Sequence, residues 1–181
     1  MITLLADEGK HGIGHMLHKE LLALGADCRY ISLDQTRVEP CRNCGGCTYQ
    51  SYNRCVVRDD ADWIFPQVLE AGLLVLVTPM VFGGYSVKIK RVLDKFALLM
   101  DRRYFVEKGE MVKGGFHGRQ FRLLAVGVRE EVTGAETAAF SRLVREMLII
   151  TRGAGKPFVV DPGKPAELEI VRTIAKEAVG I

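Results

Sequence analysis

The run Leu73-Leu-Val-Leu-Val77 constrains the fold more than any other stretch of this chain. A near-continuous apolar run of this length is the signature of a strand buried on both faces of a parallel sheet. Such a strand needs helices above and below it, and the rest of the chain supplies them. Met1 to Ala6 is a short apolar run that ends in a charged, glycine-rich loop, and it reads as a first strand. Ile13, Met16, Leu17, Leu21 and Leu24 then recur at helical spacing up to Gly25, a helix stop. Cys28 to Leu33 alternates and reads as a second strand.

The same rhythm continues beyond the apolar run. Asp59-Asp60 offers an N-cap to a helix carrying Trp63, Ile64, Val68 and Leu69, with Pro66 set to delay or kink it. Ser86 caps a helix whose Ile89, Val92, Leu93 and Phe96 share one face. Phe121 to Val128 is a fourth strand, and Thr133 to Glu136 has the capping-box pattern ahead of Phe140, Leu143, Val144 and Met147. Phe158 to Val160 is a short fifth strand. Pro165 opens a closing helix with Leu168, Val171, Ile174 and Ala178 inward. Residues 101–119 read as a long polar connection. Five strands alternating with five helices make a doubly wound α/β fold, a parallel sheet covered on both faces. One domain over residues 1–181 is expected, with a cysteine-rich loop at 41–55.

Four of the five cysteines fall in that loop: Cys41, Cys44, Cys47 and Cys55. Thiolates are soft, strong ligands, and three at i, i+3 and i+6 can wrap one metal or cluster. The plain alternative is a group of small, half-buried loop residues. Cys28 stands apart and reads as a core residue. A chain of 181 residues has room for a core without disulfide staples. With no leader-like or membrane-spanning stretch in the sequence, a cytoplasmic location is the expectation. The net charge of +3 carries no basic stripe, so neither nucleic acid nor a membrane is an expected partner.

In a doubly wound sheet, ligands bind beyond the carboxyl ends of the strands. The loop Asp7–His15 opens a helix there. Gly9, Gly12 and Gly14 supply flexibility, and Lys10, His11 and His15 supply positive charge for an anion. Asp7 and Glu8 oppose it. His11 and His15 read equally as surface histidines at a helix start. The loop Thr78-Pro79-Met80-Val81-Phe82-Gly83-Gly84 combines apolar surface with main-chain amides that a flat heteroaromatic ring can approach closely. The cysteine loop follows the second strand and is expected on the same edge.

Pro40-Cys41-Arg-Asn-Cys44-Gly-Gly-Cys47, Cys55-Val-Val-Arg-Asp59-Asp60, Thr78-Pro-Met-Val-Phe-Gly-Gly-Tyr-Ser86 and Lys90-Arg-Val-Leu-Asp94 together resemble the flavodoxin-like NAD(P)H-dependent FMN reductase superfamily. The cysteine spacing is similar to that of its iron–sulfur flavoproteins. The resemblance implies a 2-1-3-4-5 sheet with FMN at its carboxyl edge. It implies contact of Pro79, Met80, Val81, Phe82, Gly83 and Gly84 with the isoalloxazine edge, with Thr78 also in the cofactor site. Gly127 would flank the ring, and Lys10, His11, Gly12, Gly14 and His15 would hold the phosphate. It also implies a [4Fe–4S] cluster on Cys41, Cys44, Cys47 and Cys55, NAD(P)H as donor, a small-molecule or protein redox partner, and a homodimer or homotetramer. The departure lies in the phosphate loop. The family pattern resembles G-S-P-R-x-x-G-N-[ST], whereas Ala6 to His15 has no serine, threonine or arginine and carries two acids.

A flavin- and cluster-dependent oxidoreductase or electron-transfer protein is therefore the leading expectation. An NAD(P)H-dependent FMN or quinone reductase without a cluster is the first alternative. A flavin-free module that binds metal or docks a partner is the second.

Overall fold

A computed structural model describes residues 1–107, 109–116 and 120–180. Five parallel strands form one sheet: β1 (Ile2–Ala6), β2 (Cys28–Ser32), β3 (Leu73–Pro79), β6 (Arg122–Val128) and β7 (Ala154–Val160). Their spatial order is β2-β1-β3-β6-β7, the expected 2-1-3-4-5 when these five are counted along the chain. The connecting helices are α1 (Ile13–Ala23), α3 (Ala61–Glu70), α4 (Val87–Asp94), α5 (Gly134–Thr151) and α6 (Glu167–Val179). A four-residue α2 (Gly46–Tyr49) lies inside the cysteine loop.

Strand pleating divides the core in two. Leu73, Val75 and Val77 of β3 pack with Leu17, Leu21, Val171 and Ile174 of α1 and α6. Leu74 and Leu76, one step out of phase, pack with Ile64, Val68, Ile89, Phe140 and Val144 of α3, α4 and α5. Period-2 alternation thus sends every second residue of β3 to each helical layer, which is why the whole strand must be apolar.

Local signals explain where the elements stop and start. Gly25 (φ 75°) ends α1, with its N–H on the Leu22 carbonyl and the Ala26 N–H on that of Leu21, the paired bonds of a Schellman end. Ser86 Oγ accepts the Ile89 N–H at 3.3 Å. Thr133 and Glu136 close the capping box, at 3.2 and 3.1 Å. In α3 it is Asp59, rather than Asp60, that accepts a first-turn N–H, from Ala61 at 3.0 Å. Asp60 instead receives the Arg37 N–H and the Trp63 indole. The helix runs on through Pro66.

Several expectations are corrected. Leu168, expected inward, is exposed, as are Leu24, Trp63, Leu69 and Leu143 on their helices. The last strand begins at Ala154, four residues before Phe158; as an edge strand it tolerates Pro157. The closing helix begins at Glu167, after Pro165 rather than on it. Residues 101–119 are not a featureless connection: β4 (Tyr104–Glu107) and β5 (Glu110–Lys113) pair as an antiparallel hairpin outside the main sheet. Residues 108 and 117–119 of that stretch lie outside the described residues. Among the described residues, no helix is long and apolar enough to cross a membrane.

Candidate functional site

The loop after β3 is a rigid tongue at the carboxyl edge of the sheet. Val81 and Gly84 exchange two backbone bonds, at 3.1 and 2.8 Å. Below them Thr78 Oγ1 accepts the Ser86 N–H at 2.9 Å and donates to the Pro79 carbonyl at 3.0 Å, tying the two ends together. Gly83 (φ 76°) lies close on α5: a Cβ there would come within 2.8 Å of Ala139 Cβ and 3.0 Å of the Glu136 carbonyl. Val81 and Phe82 form the outer surface, and Phe82 is 90% exposed. The amides of Phe82 and Gly83 lie at the tip, outside the Val81–Gly84 bridge.

Met80 and Gly127 have a different role from the rest of the tongue. The Met80 side chain is buried, and a Cβ on Gly127 would stand 2.4 Å from its Sδ. Gly127 is the seat of Met80, so both residues support the tongue from beneath, and the Met80 N–H is held by the Val128 carbonyl at 2.9 Å. Arg129 reaches the Met80 carbonyl at 3.4 Å and pairs with Glu136 at 2.9 Å.

The loop after β1 is already neutralised by carboxylates of this chain. Glu8 folds back over the start of α1. Its carboxylate accepts the Gly14 N–H at 3.1 Å, lies 2.9 Å from His15 Nδ1, and receives the Tyr30 hydroxyl. A Cβ on Gly14 would fall 2.4 Å from Glu8 Oε1. Lys10 and His11 both reach Glu130, each at 3.4 Å, across the mouth of the site. Lys88 of α4 pairs with Asp34 and with Asp7, the latter at 3.3 Å. The Lys88 hydrogen bond holds the Asp34 carboxyl below its ordinary range, and Asp34 raises the ammonium in turn. Burial, then the hydrogen bond to Glu8, pushes the Tyr30 phenol up. Gly12 (φ 66°) caps α1 through its backbone.

Lys10, His11, Gly12, Gly14 and His15 therefore do converge, but around carboxylates. Glu130, Tyr30, Asp34 and Lys88 complete the arrangement and carried no motif in the sequence. Val81 and Phe82 leave apolar surface open at the tongue. The phosphate of FMN does not fit the α1 terminus as folded, because Glu8 holds the amide that would receive it.

Cys41, Cys44, Cys47 and Cys55 line one small cavity with Val56, Asp94, Lys95 and Leu98. Asn43 (φ 50°) and Gly45 (φ 70°) turn the chain between the first cysteines, and the Asn43 N–H lies 3.5 Å from Cys41 Sγ. Cys41 and Cys44 are exposed, while Cys47 and Cys55 pack against the core. The donor set suits a metal or cluster, and all four thiols share one space. Among the described residues, however, no three His, Cys, Asp or Glu side chains are gathered closely enough to hold an ion. The cavity and the tongue meet α4 at opposite ends. The cavity borders the last residues of α4, whereas the tongue meets the first, and eight residues of helix span about 12 Å.

The sequence profile of the NADPH-dependent FMN reductase family matches residues 9–154. The chain belongs to this family. Within it, similarity extends to an iron–sulfur flavoprotein of Methanosarcina thermophila, 28% identical over 87 residues, 48% of this chain and 44% of that one. An iron–sulfur flavoprotein of Archaeoglobus fulgidus is 24% identical over 152 residues, 84% of this chain and 63% of the relative. Both matches thus span less than two thirds of the relatives' own length. Among solved structures, an FMN-dependent NADH-azoreductase from Bacillus anthracis in complex with FMN superposes with a TM-score of 0.64 at 13% identity, over 99% of this chain and 97% of the other. That likeness concerns the fold. Membership of the FMN reductase family sharpens the disagreement at the Glu8 end.

Proposed function

We propose that this chain is a flavin-dependent oxidoreductase, taking electrons from NAD(P)H and delivering them to a small-molecule or protein redox partner. The observation that carries the reading is the family match over residues 9–154, which spans a rigid, exposed tongue at the edge where this class of sheet binds ligands. A bound flavin supplies two-electron acceptance with one-electron release. The chain's own part is to seat the ring. Val81 and Phe82 give it an apolar face, the tip amides are placed for its polar edge, and Thr78 with Ser86 keeps the tongue in shape. Assembly as a homodimer or homotetramer and a cytoplasmic setting belong to the same reading.

Cys41, Cys44, Cys47 and Cys55 are the proposed ligands of a [4Fe–4S] cluster, which when bound supplies one-electron transfer. Support comes from the shared cavity and from the names of the two archaeal relatives. The alternative, a flavin or quinone reductase with free thiols, is favoured by the absence of a gathered ligand set among the described residues. A flavin-free module is favoured by the filled α1 terminus.

Anaerobic purification followed by a visible spectrum, iron and sulfide assays and NADPH addition tests all three. Flavin absorption bleached by NADPH supports the oxidoreductase, and four irons with four sulfides add the cluster. A colourless protein that takes up neither flavin nor iron removes both redox readings.

A further inference from the structure

We propose that Glu8 is a built-in occupant of the α1 anion cradle, which sets this chain to take an unphosphorylated flavin of the riboflavin class. The inference rests on the flavin reading above and departs from the family at one end of the ligand only.

Three observations carry it. First, the Glu8 carboxylate makes the contacts a phosphate would seek: the Gly14 amide at 3.1 Å, His15 at 2.9 Å, and the Tyr30 hydroxyl. A helix N-terminus attracts an anion through such amides, and here one is supplied by the chain itself. Second, the Glu8 side chain is only 9% exposed, and its oxygen occupies the space directly over Gly14. Its main chain is also fixed, with the Glu8 N–H on Asp34 at 3.3 Å. Third, the surrounding basic side chains already face carboxylates of this chain. Lys10 and His11 face Glu130, and Lys88 faces Asp7 and Asp34. Four carboxylates (Asp7, Glu8, Asp34, Glu130) thus stand against two ammonium groups (Lys10, Lys88). A phosphate bringing about −1.5 to −2 more charge would have to displace Glu8 into a field already negative.

Asp7 and Glu8 are neighbours with separate tasks. Asp7 is turned to Lys88 on α4, so Glu8 alone controls the cradle. A ligand ending in the ribityl hydroxyls meets no such opposition, because a neutral hydroxyl can donate to Glu8 or Glu130.

The test is to titrate wild type, Glu8→Gln and Glu8→Ser with FMN and with riboflavin, following quenching of flavin fluorescence. In parallel, inorganic phosphate is added to 15N-labelled protein while the Gly14 amide resonance is watched. Wild type is expected to bind the two flavins within about threefold of each other. Glu8→Ser should tighten FMN about tenfold to a hundredfold with riboflavin unchanged, as one recovered charge-assisted bond implies. Glu8→Gln, which keeps the side chain's size, should move the ratio the same way by less. Phosphate should shift the Gly14 amide in Glu8→Ser and not in wild type. Wild type preferring FMN a hundredfold, or a ratio unmoved in both variants, would overturn the proposal while leaving the flavin reading intact. If neither flavin binds any of the three proteins, the flavin reading falls and Gly14 decides on Glu8. A phosphate shift confined to Glu8→Ser still supports the occupied cradle; a shift in wild type, or in neither, overturns it.

Discussion

Lys95 and Asp59 form an ion pair at the wall of the cysteine cavity, with side chains only 1% and 3% exposed. Asp59 also accepts the Glu39 N–H at 2.8 Å and the Ala61 N–H at 3.0 Å. One carboxylate therefore ties the residues that enter and leave the cysteine loop to each other and to the end of α4.

Removing the cation should be costly. In Lys95→Met the Asp59 carboxylate stays buried with two amides and no countercharge. Breaking a buried pair from one side typically costs about 3–5 kcal/mol. Urea denaturation should show a loss of that order, and Lys95→Met with Asp59→Asn should lose less than the two single variants summed. Equal stability of Lys95→Met and wild type would mean that the pair contributes nothing.

The Asp34–Lys88 pair sets a pH dependence with a definite sign. The Asp34 carboxyl is held below its ordinary value, chiefly by the Lys88 hydrogen bond. Its contribution is full above the unfolded value near 4 and is lost as pH falls through the lower folded value. Lys88 is shifted upward, chiefly by Asp34, so its share is full below about 10.4 and is lost only above that. The urea midpoint should therefore be flat near neutrality on this account and fall below about pH 4. Asp34→Asn should flatten part of the acid limb. An acid limb identical to wild type would remove Asp34 from the explanation.

The sheet was readable because its signals are periodic. The apolar run at Leu73–Val77 demands two helical layers, and helical spacing in the flanking segments supplies them. The β4–β5 hairpin escaped because it packs outside that core, with Val106 and Met111 exposed. The tongue was readable from Pro79 and Gly83-Gly84, whose backbone requirements are local. The filled cradle was not. Its parts, Glu8, Gly14, His15 and Tyr30, come from a loop, a helix and a strand that only the sheet brings together. Charge in the loop signalled opposition to phosphate, but not that one of its two acids would take the phosphate's place. The path of the cysteine loop also has no period to betray it, so its return to the far end of α4 is a tertiary fact.

Gly83 and Gly12 separate two reasons for glycine. Both have positive φ, at 76° and 66°, but only Gly83 is crowded, by Ala139 and the Glu136 carbonyl; nothing lies within 4 Å of a Cβ on Gly12. Alanine at Gly12 should cost about 1 kcal/mol, the strain of the left-handed conformation alone. At Gly83 it should cost more, about 2–3 kcal/mol, since the tongue must also lift off α5. Thermal denaturation of the two variants checks the order, and flavin titration should show weaker binding for Gly83→Ala.

Thiol reactivity should follow burial along the chain. Burial, with the neighbouring Asp27 charge adding, pushes the Cys28 thiol up to about 11, so roughly one molecule in a thousand carries its thiolate at pH 8. Cys41 and Cys44 are exposed, and Cys47 and Cys55 are half-buried. Iodoacetamide at pH 8 on metal-free protein should therefore modify Cys41 and Cys44 first, then Cys47 and Cys55, and Cys28 last, as read by peptide mass spectrometry over time. Loading with iron and sulfide should protect the four loop cysteines together and leave Cys28 slow, since its protection comes from packing. Protection of only one or two of the four would mean that they do not act as a set, and the proposed cluster on this loop would be lost.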